Sequence, residues 1–235
     1  MRGRTLGCFL EGPCFDRDGN LLVVDIPFGR IFQVTPRGEW LLRSEYGGWP
    51  NGLALYKDGA LFIADYRRGI LRLGPNQASP DEFVACYQSE GFRGCNDLFF
   101  ASNGDLWFTD QGQSGLHDPS GRVYRMSAGG SLSAVLSNIP SPNGLVMNLD
   151  ESQVFVAVTR ANAVWRLPLM QDRSTSKVGL FIQLSGGLAG PDGLALAAVG
   201  GLIVTHPGIG VWPFRSLGRP THLSEAPAGS VWTTV

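Results

Sequence analysis

Five times along the chain, a short turn-like motif carrying one oxygen-bearing side chain opens an apolar run. The motifs are Glu11-Gly12-Pro13, Pro50-Asn51-Gly52-Leu53, Cys95-Asn96-Asp97-Leu98, Pro142-Asn143-Gly144-Leu145 and Pro191-Asp192-Gly193-Leu194. The anchors Glu11, Asn51, Asn96, Asn143 and Asp192 are 40, 45, 47 and 49 residues apart. A period of that length, filled with short alternating strands, predicts an all-β chain, a β-propeller of four-stranded blades. Such a fold brings equivalent positions of every blade together around one axis. The five anchors, and with them a set of carboxylate and amide oxygens, are expected there.

Each anchor is followed by a β-type run, a turn and a second β-type run, as in Leu53–Tyr56, Lys57–Ala60 and Leu61–Asp65. Gly-bearing turns between alternating runs predict hairpins. The fourth repeat turns at Asp150-Glu151-Ser152 with one extra residue. Third strands are expected at Gly29–Val34, Gly69–Leu73, Gly121–Met126 and Ala163–Leu167. Fourth strands are expected near Trp40–Arg43, Glu82–Cys86, Ser133–Leu136 and Val178–Gln183. The chain reads as a single domain over residues 1–235, with repeats starting near 11, 51, 96, 143 and 192 and the last running to the end. Residues 229–235 (GSVWTTV) read as the place where a sixth repeat would start.

Residues equidistant from a hairpin turn face each other. The position fourteen residues after an anchor is therefore expected opposite it: Asp25 for Glu11, Asp65 for Asn51, Asp110 for Asn96 and His206 for Asp192. Val158 or Thr159 is expected opposite Asn143. Strand-end aspartates also serve as caps for neighbouring backbone. That reading leaves unexplained why so many carboxylates gather at one end of the sheets, where they repel unless a cation or protons neutralise them.

Glu11, Asn96, Asn143 and Asp192 supply two carboxylates and two amide carbonyls, all hard oxygen donors. The set favours a divalent cation, with Ca²⁺ the better match and Mg²⁺ or Zn²⁺ as alternatives. Four protein ligands leave room for water or substrate, as a catalytic metal requires.

The formal net charge is −1, which gives no electrostatic case for nucleic acid or an anionic membrane as partner. The four cysteines show no zinc spacing, and no stretch approaches the ~18 apolar residues of a membrane span. The N-terminal apolar run is too broken for a signal peptide, and a cytoplasmic protein is expected. No Gly-x-Ser-x-Gly, phosphate-binding loop or HExxH motif is present.

The run Glu11-Gly12-Pro13, the segment Asn96–Arg125, and the motifs at Asn143 and Asp192 together resemble the gluconolactonase/senescence-marker-protein family. Regucalcin-like lactonases belong to it, and diisopropyl fluorophosphatase is a more distant relative. The resemblance covers nearly the whole chain, in order. It implies a six-bladed propeller holding a divalent cation, often Ca²⁺, on ligands that fall on Glu11, Asn96, Asn143 and Asp192 here. It also implies that Asp192 acts as base or nucleophile, and it places Arg93 near a substrate-binding arginine of some relatives, with shifted spacing. This chain departs from that pattern in holding about five repeats. An open ring would leave unpaired edges, and a dimer is one consequence.

The function that follows is metal-dependent opening of a lactone, a small molecule of sugar-lactone type. Asp192 positions or deprotonates water, and His206 is the alternative base or relay. Asn96, Arg93, Gln113, His117 and Asp118 are candidates for contact with substrate, the last three on the loop Gln111–Pro119. Two alternatives stay open: a phosphoester or phosphofluoridate hydrolase on the same site, and a non-catalytic binding module or truncated inactive homologue. Trp107, Trp165 and Trp212 are expected in packing between blades.

Overall fold

The computed structural model describes residues 7–227 and 232–233. Most of residues 229–235, where a sixth repeat is expected to begin, lie outside the described residues. The chain divides into two compact units, Met1–Cys95 and Asn96–Val235. Both are built from four-stranded antiparallel sheets in which sequence-consecutive strands pair, so each sheet is a propeller blade.

The first unit holds two blades. One comprises β1 (Leu10–Phe15), β2 (Leu21–Asp25), β3 (Arg30–Val34) and β4 (Trp40–Glu45). The next comprises β5 (Pro50–Leu55), β6 (Leu61–Asp65), β7 (Gly69–Leu73) and β8 (Asp81–Val84). A two-stranded ribbon, β9 (Cys86–Tyr87) with β10 (Glu90–Gly91), follows and was not expected from the sequence. The second unit holds three blades. They are β11 (Cys95–Phe100) to β14 (Leu132–Ile139), with β12 at Leu106–Asp110 and β13 at Gly121–Met126; β15 (Pro142–Met147) to β18 (Gly179–Gln183), with β16 at Gln153–Val158 and β17 at Ala163–Pro168; and β19 (Leu194–Leu196) to β22 (Ser224–Glu225), with β20 at Leu202–His206 and β21 at Gly210–Pro213. The all-β expectation therefore holds. Helix is confined, among the described residues, to two single 3₁₀ turns, Ile26–Phe28 and Thr159–Ala161.

One turn chemistry recurs. In Asp16–Asn20, Tyr56–Ala60, Ala101–Asp105 and Ala197–Gly201, the first N–H donates to the fifth carbonyl and the fourth N–H donates to the first carbonyl. The fourth residue is a glycine with φ between 79° and 87° in all four. A type I turn closed by a left-handed residue requires that conformation. The fourth blade spans Asn148–Gln153 instead, one residue longer, with Glu151 taking the positive φ of 53°.

Alternation within strands divides the apolar residues between neighbouring blades. Val154, Val156 and Val158 of β16 pack with Trp107, Val123, Leu145 and Leu167. Phe155 and Ala157, pointing the other way, pack with Val164, Leu194, Leu202 and Val204. In the first unit Leu22, Val24 and Ile31 meet Leu53, Ile63 and Leu71. Each such side chain contributes roughly 1.5–3 kcal/mol by leaving water. Trp107 is fully buried in its cluster, and Trp165 and Trp212 pack beside theirs, in keeping with packing roles.

The anchor motifs differ from the expected turns. Those at Glu11, Asn51, Asn96 and Asn143 lie inside the first strand of their sheets. At three of them the register slips: between Glu11 and Cys14, between Pro50 and Gly52, and between Pro142 and Leu145. These are β-bulges, and each moves the pairing by one residue. Asp25 therefore faces Leu10 rather than Glu11, Asp65 faces Pro50 rather than Asn51, and Val158 faces Pro142 rather than Asn143. In the fifth blade the Asp192 N–H donates to the Thr205 carbonyl, so His206 is likewise one residue away from the place expected for it. Counting from the turn fails because a bulge adds a residue to one strand alone.

The glycine beside an anchor has a packing reason. A Cβ on Gly144 would lie 2.6 Å from the Asp192 carbonyl oxygen, and one on Gly12 would lie 2.3 Å from that of Asn51. The first strands of consecutive blades approach backbone to backbone here, and Gly144 N–H donates to the Asp192 carbonyl at 3.1 Å. Gly193 N–H donates in the same way to the Thr233 carbonyl at 2.9 Å. Thr233 thus takes, against the fifth blade, the backbone place that Asp192 takes against the fourth.

Candidate functional site

Three of the four proposed cation ligands, Asn96, Asn143 and Asp192, belong to the second unit, each in or just before the first strand of a different blade. Threonines on the neighbouring strands hold these segments. Thr109 Oγ1 accepts from the Asp97 N–H at 3.1 Å and donates to the Asn143 carbonyl at 2.9 Å. Thr159 Oγ1 donates to the Pro191 carbonyl at 2.8 Å, and Thr205 Oγ1 to the Thr233 carbonyl at 2.7 Å. Each hydroxyl is worth about 1 kcal/mol, and those of Thr109 and Thr159 fix the backbone at the Asn143 and Asp192 anchors.

The Asn96 Nδ2 donates to Gln111 Oε1 at 3.0 Å, and Gln111 Nε2 donates onward to Ser141 Oγ at 2.9 Å. The Asn96 amide is therefore engaged through nitrogen, and its carbonyl oxygen accepts no hydrogen bond among the described residues. Asp192 is half-buried by surface area but enclosed by protein on most sides, and that loss of water pushes its carboxyl up to about 7. The Asn143 side chain hydrogen-bonding to it works in the opposite direction, and the nearby Asp97 carboxylate raises it further.

Asp97 is the member of this cluster that the sequence reading passed over. Its carboxylate accepts from its neighbour Leu98 N–H at 2.8 Å and from Leu145 N–H of the next blade at 3.2 Å. Enclosure nonetheless pushes it up to about 6. The one signal for it in the sequence is an aspartate where the other repeats carry glycine. Two carboxylates that both resist ionisation, beside amide carbonyls, form a donor set suited to a hard cation. Among the described residues no group of three His, Cys, Asp or Glu side chains makes a metal cluster, so any such site depends on the amide oxygens.

The remaining candidates belong to both units. Glu11 is buried in β1 of the first unit. Arg93, also in the first unit, pairs with Glu90 at 3.1 Å on the surface. His206 is fully buried, neither ring nitrogen has a hydrogen-bond partner among the described residues, and burial holds its pKa below the usual histidine value. Its Nε2 faces Gly187, where a Cβ would lie 2.3 Å away.

Gln113 and His117 are brought together with the anchors' neighbours. The loop after β12 is held by its own hydrogen bonds, Gly115 with Asp118 in both directions and Ser114 N–H to the Gln111 carbonyl. It borders a cavity of about 490 Å³ lined by Gln111, Gln113, Ser114, His117, Ser141 and Arg160, among others. Gln111 thus links Asn96 to this cavity. Asp118 is exposed and does not line it.

Residues 9–235 match the sequence model of the SMP-30/gluconolactonase/LRE-like region. Lactonase drp35 of Staphylococcus aureus (strain MRSA252) is 30% identical over 232 residues, covering 91% of this chain and 68% of that protein. The lactonase drp35 of Staphylococcus saprophyticus is 31% identical over 226 residues with the same coverage. A gluconolactonase structure from Xanthomonas campestris superposes with a TM-score of 0.85 at 24% identity, over 97% of this chain and 78% of that one. A structure of a calcium-binding protein, regucalcin, from Agrobacterium tumefaciens gives 0.83 at 22% identity, over 97% and 77%. At those identities the structures establish the shared propeller fold, and the sequence matches establish the family. The chain belongs to the SMP-30/gluconolactonase/LRE-like family.

Proposed function

We propose that this protein is a metal-dependent lactonase acting on a small sugar-type lactone, with Ca²⁺ as the cation. The observation that carries this is the cluster of Asn96, Asp97, Asn143 and Asp192, in which an enclosed carboxyl holds its proton up to about pH 7 beside amide carbonyls. A nearby dication relieves that cost, and Asn96, Asn143 and Asp192 are the residues that would hold it. A bound Ca²⁺ supplies polarisation of the ester carbonyl and charge stabilisation for the oxyanion.

The chain's own groups do the rest. Asp192, the carboxylate of the set, accepts a proton from the attacking water or orients that water for attack. Asn143, bonded to Asp192, fixes the orientation of its carboxylate. Asp97 holds the Leu145 N–H and keeps the two anchor strands in register. Gln111 fixes the Asn96 amide so that its carbonyl oxygen stays available. His206, with no bond to Asp192, is left out of the proton path. Lactone opening by the homologous drp35 proteins, as their name describes them, supports the ester as the bond attacked.

The test is calcium titration by calorimetry on the wild-type chain and Asp192→Asn, with hydrolysis of δ-gluconolactone followed by pH-stat. One-site binding weakened by the substitution, with turnover abolished by it, is expected. Folded protein that binds no cation and opens no lactone would sink the proposal.

A further inference from the structure

The cavity beside Gln111 carries no acidic side chain among its lining residues. Its polar wall is amide, hydroxyl and imidazole, and its one permanent charge is the guanidinium of Arg160. Arg160 sits in the 3₁₀ turn Thr159–Ala161, where its N–H donates to the Pro140 carbonyl at 3.3 Å. Its Cγ lies beside Gly115 of the loop, 3.9 Å from where a Cβ would stand. The backbone is thus held at the cavity wall, with the stem beside the loop. The guanidinium makes no hydrogen bond and no ion pair among the described residues. Arg93 and Arg125, by contrast, hold Glu90 and Asp105.

We propose that Arg160 selects for anionic lactones: substrates whose polyhydroxy chain ends in a carboxylate or a phosphate. The inference rests on the lactonase reading above. An arginine presents a planar fork of donors that matches either anion in a bidentate pair. Nothing in the cavity wall competes for it, and Gln113, His117 and the Ser141 hydroxyl offer partners for hydroxyl groups. A volume of about 490 Å³ accommodates a ligand of sugar size. The hydrogen-bonded chain from Asn96 through Gln111 to Ser141 joins this cavity to the donor cluster. One substrate can therefore place its ester at the cluster and its anionic end at Arg160.

The test compares δ-gluconolactone, its 6-phosphate and a lactone of glucaric acid as substrates of the wild type and of Arg160→Gln, in Ca²⁺. The expected result is a higher kcat/KM for one or both anionic lactones. Arg160→Gln should lower that value roughly 10- to 100-fold, mostly through KM, and leave the neutral lactone within about twofold. Preference for the phosphate or for the carboxylate identifies the source of the charge. Equal rates on all three, or an equal loss on all three in the variant, overturns the proposal while leaving lactonase activity intact. If no lactone is opened, calorimetry with glucitol 6-phosphate, glucuronate and neutral glucitol decides the matter. Binding of an anion that the variant loses supports Arg160 without the lactonase reading, and identical weak binding of all three overturns it.

Discussion

Asp65 in the first unit and Asp192 in the second are both carboxylates crowded by protein near an end of their sheet, and they are treated in opposite ways. Asp65 accepts four hydrogen bonds: from the N–H groups of Trp49, Arg67 and Arg68 at 2.8–2.9 Å and from Tyr46 Oη at 3.0 Å. Its neighbour in the first blade, Asp25, accepts from the Phe9 N–H at 2.9 Å. Asp192 has one amide neighbour and a second carboxylate for company, and it holds its proton up to about pH 7. Aspartates at blade ends therefore divide by how many donors face them. A carboxylate ringed by backbone N–H groups holds the chain, whereas one denied them remains available for a cation or a proton.

The sharpest way to break this comparison is to remove the charge at each place. Asp192→Asn is expected to lower kcat/KM for a lactone about 10³-fold or more, since both the base and a cation donor are lost. It should leave the fold intact, or firm it in EDTA, because an enclosed charge disappears. Equal activity in the variant would show that Asp192 is one more structural aspartate.

Asp65→Ala is expected to do the reverse. It leaves three backbone donors and a tyrosine hydroxyl without their acceptor, at a cost of about 3 kcal/mol or more. Urea unfolding followed by circular dichroism measures it. The surviving folded fraction should bind calcium as the wild type does. A loss below about 1 kcal/mol would mean that water replaces the carboxylate at no great cost, and the donor count would lose its meaning.

The same contrast predicts a pH dependence. Asp97 and Asp192 have folded pKa values of about 6 and about 7, above the ordinary carboxyl value. In that window the folded protein without cation holds more protons than the unfolded chain. Their contribution to stability is therefore full below about pH 4 and is lost as pH rises through about 7, by linkage. Asp58 and Asp105, held below the usual range, act in the other direction, but at lower pH. His206, lowered by burial, opposes the trend around its own titration and cancels in a difference. The urea midpoint of Asp192→Asn minus that of the wild type, both in EDTA, should grow from pH 5 to pH 8. Saturating Ca²⁺ should shrink the difference and, at pH 6.5, calcium binding should release protons to the buffer. A flat difference would remove the case for an enclosed, cation-hungry carboxyl.

The repeat was legible because its carriers are local. A glycine in the hairpin turn and alternation along a strand announce themselves within five residues, and the blades follow. What could not be read was anything set by a bulge. The slips at Glu11, Asn51 and Asn143 each cost one residue of register and displaced Asp25, Asp65 and Val158 from the partners expected of them, and His206 is displaced likewise beside Asp192. The same gap explains the omission of Asp97. Its importance comes from reaching Leu145, 48 residues on, and no local pattern marks that. Arg160 was silent for a related reason: it lines the cavity from the fourth blade against a loop of the third, and its neighbours in sequence give no hint of Gly115.

Arginine supplies the smallest and cleanest contrast. Arg93 and Arg160 are both exposed cations near loops that the sequence marks for substrate, yet one is already answered and the other is not. Arg93 pairs with Glu90 three residues before it, and both side chains are about half exposed, at 41% and 49%. Solvent screens such a pair, and its loss changes stability by less than about 1 kcal/mol. Arg93→Ala is therefore expected to leave the urea midpoint nearly unmoved and kcat/KM on neutral and anionic lactones within about twofold. Steady-state kinetics beside Arg160→Gln reads both at once. A tenfold fall in the Arg93 variant would mean that Glu90 releases this arginine to the substrate. The rule that an engaged side chain is spoken for would then fail at the surface, where ion pairs exchange easily, and would keep its force only in the enclosed cluster around Asp192.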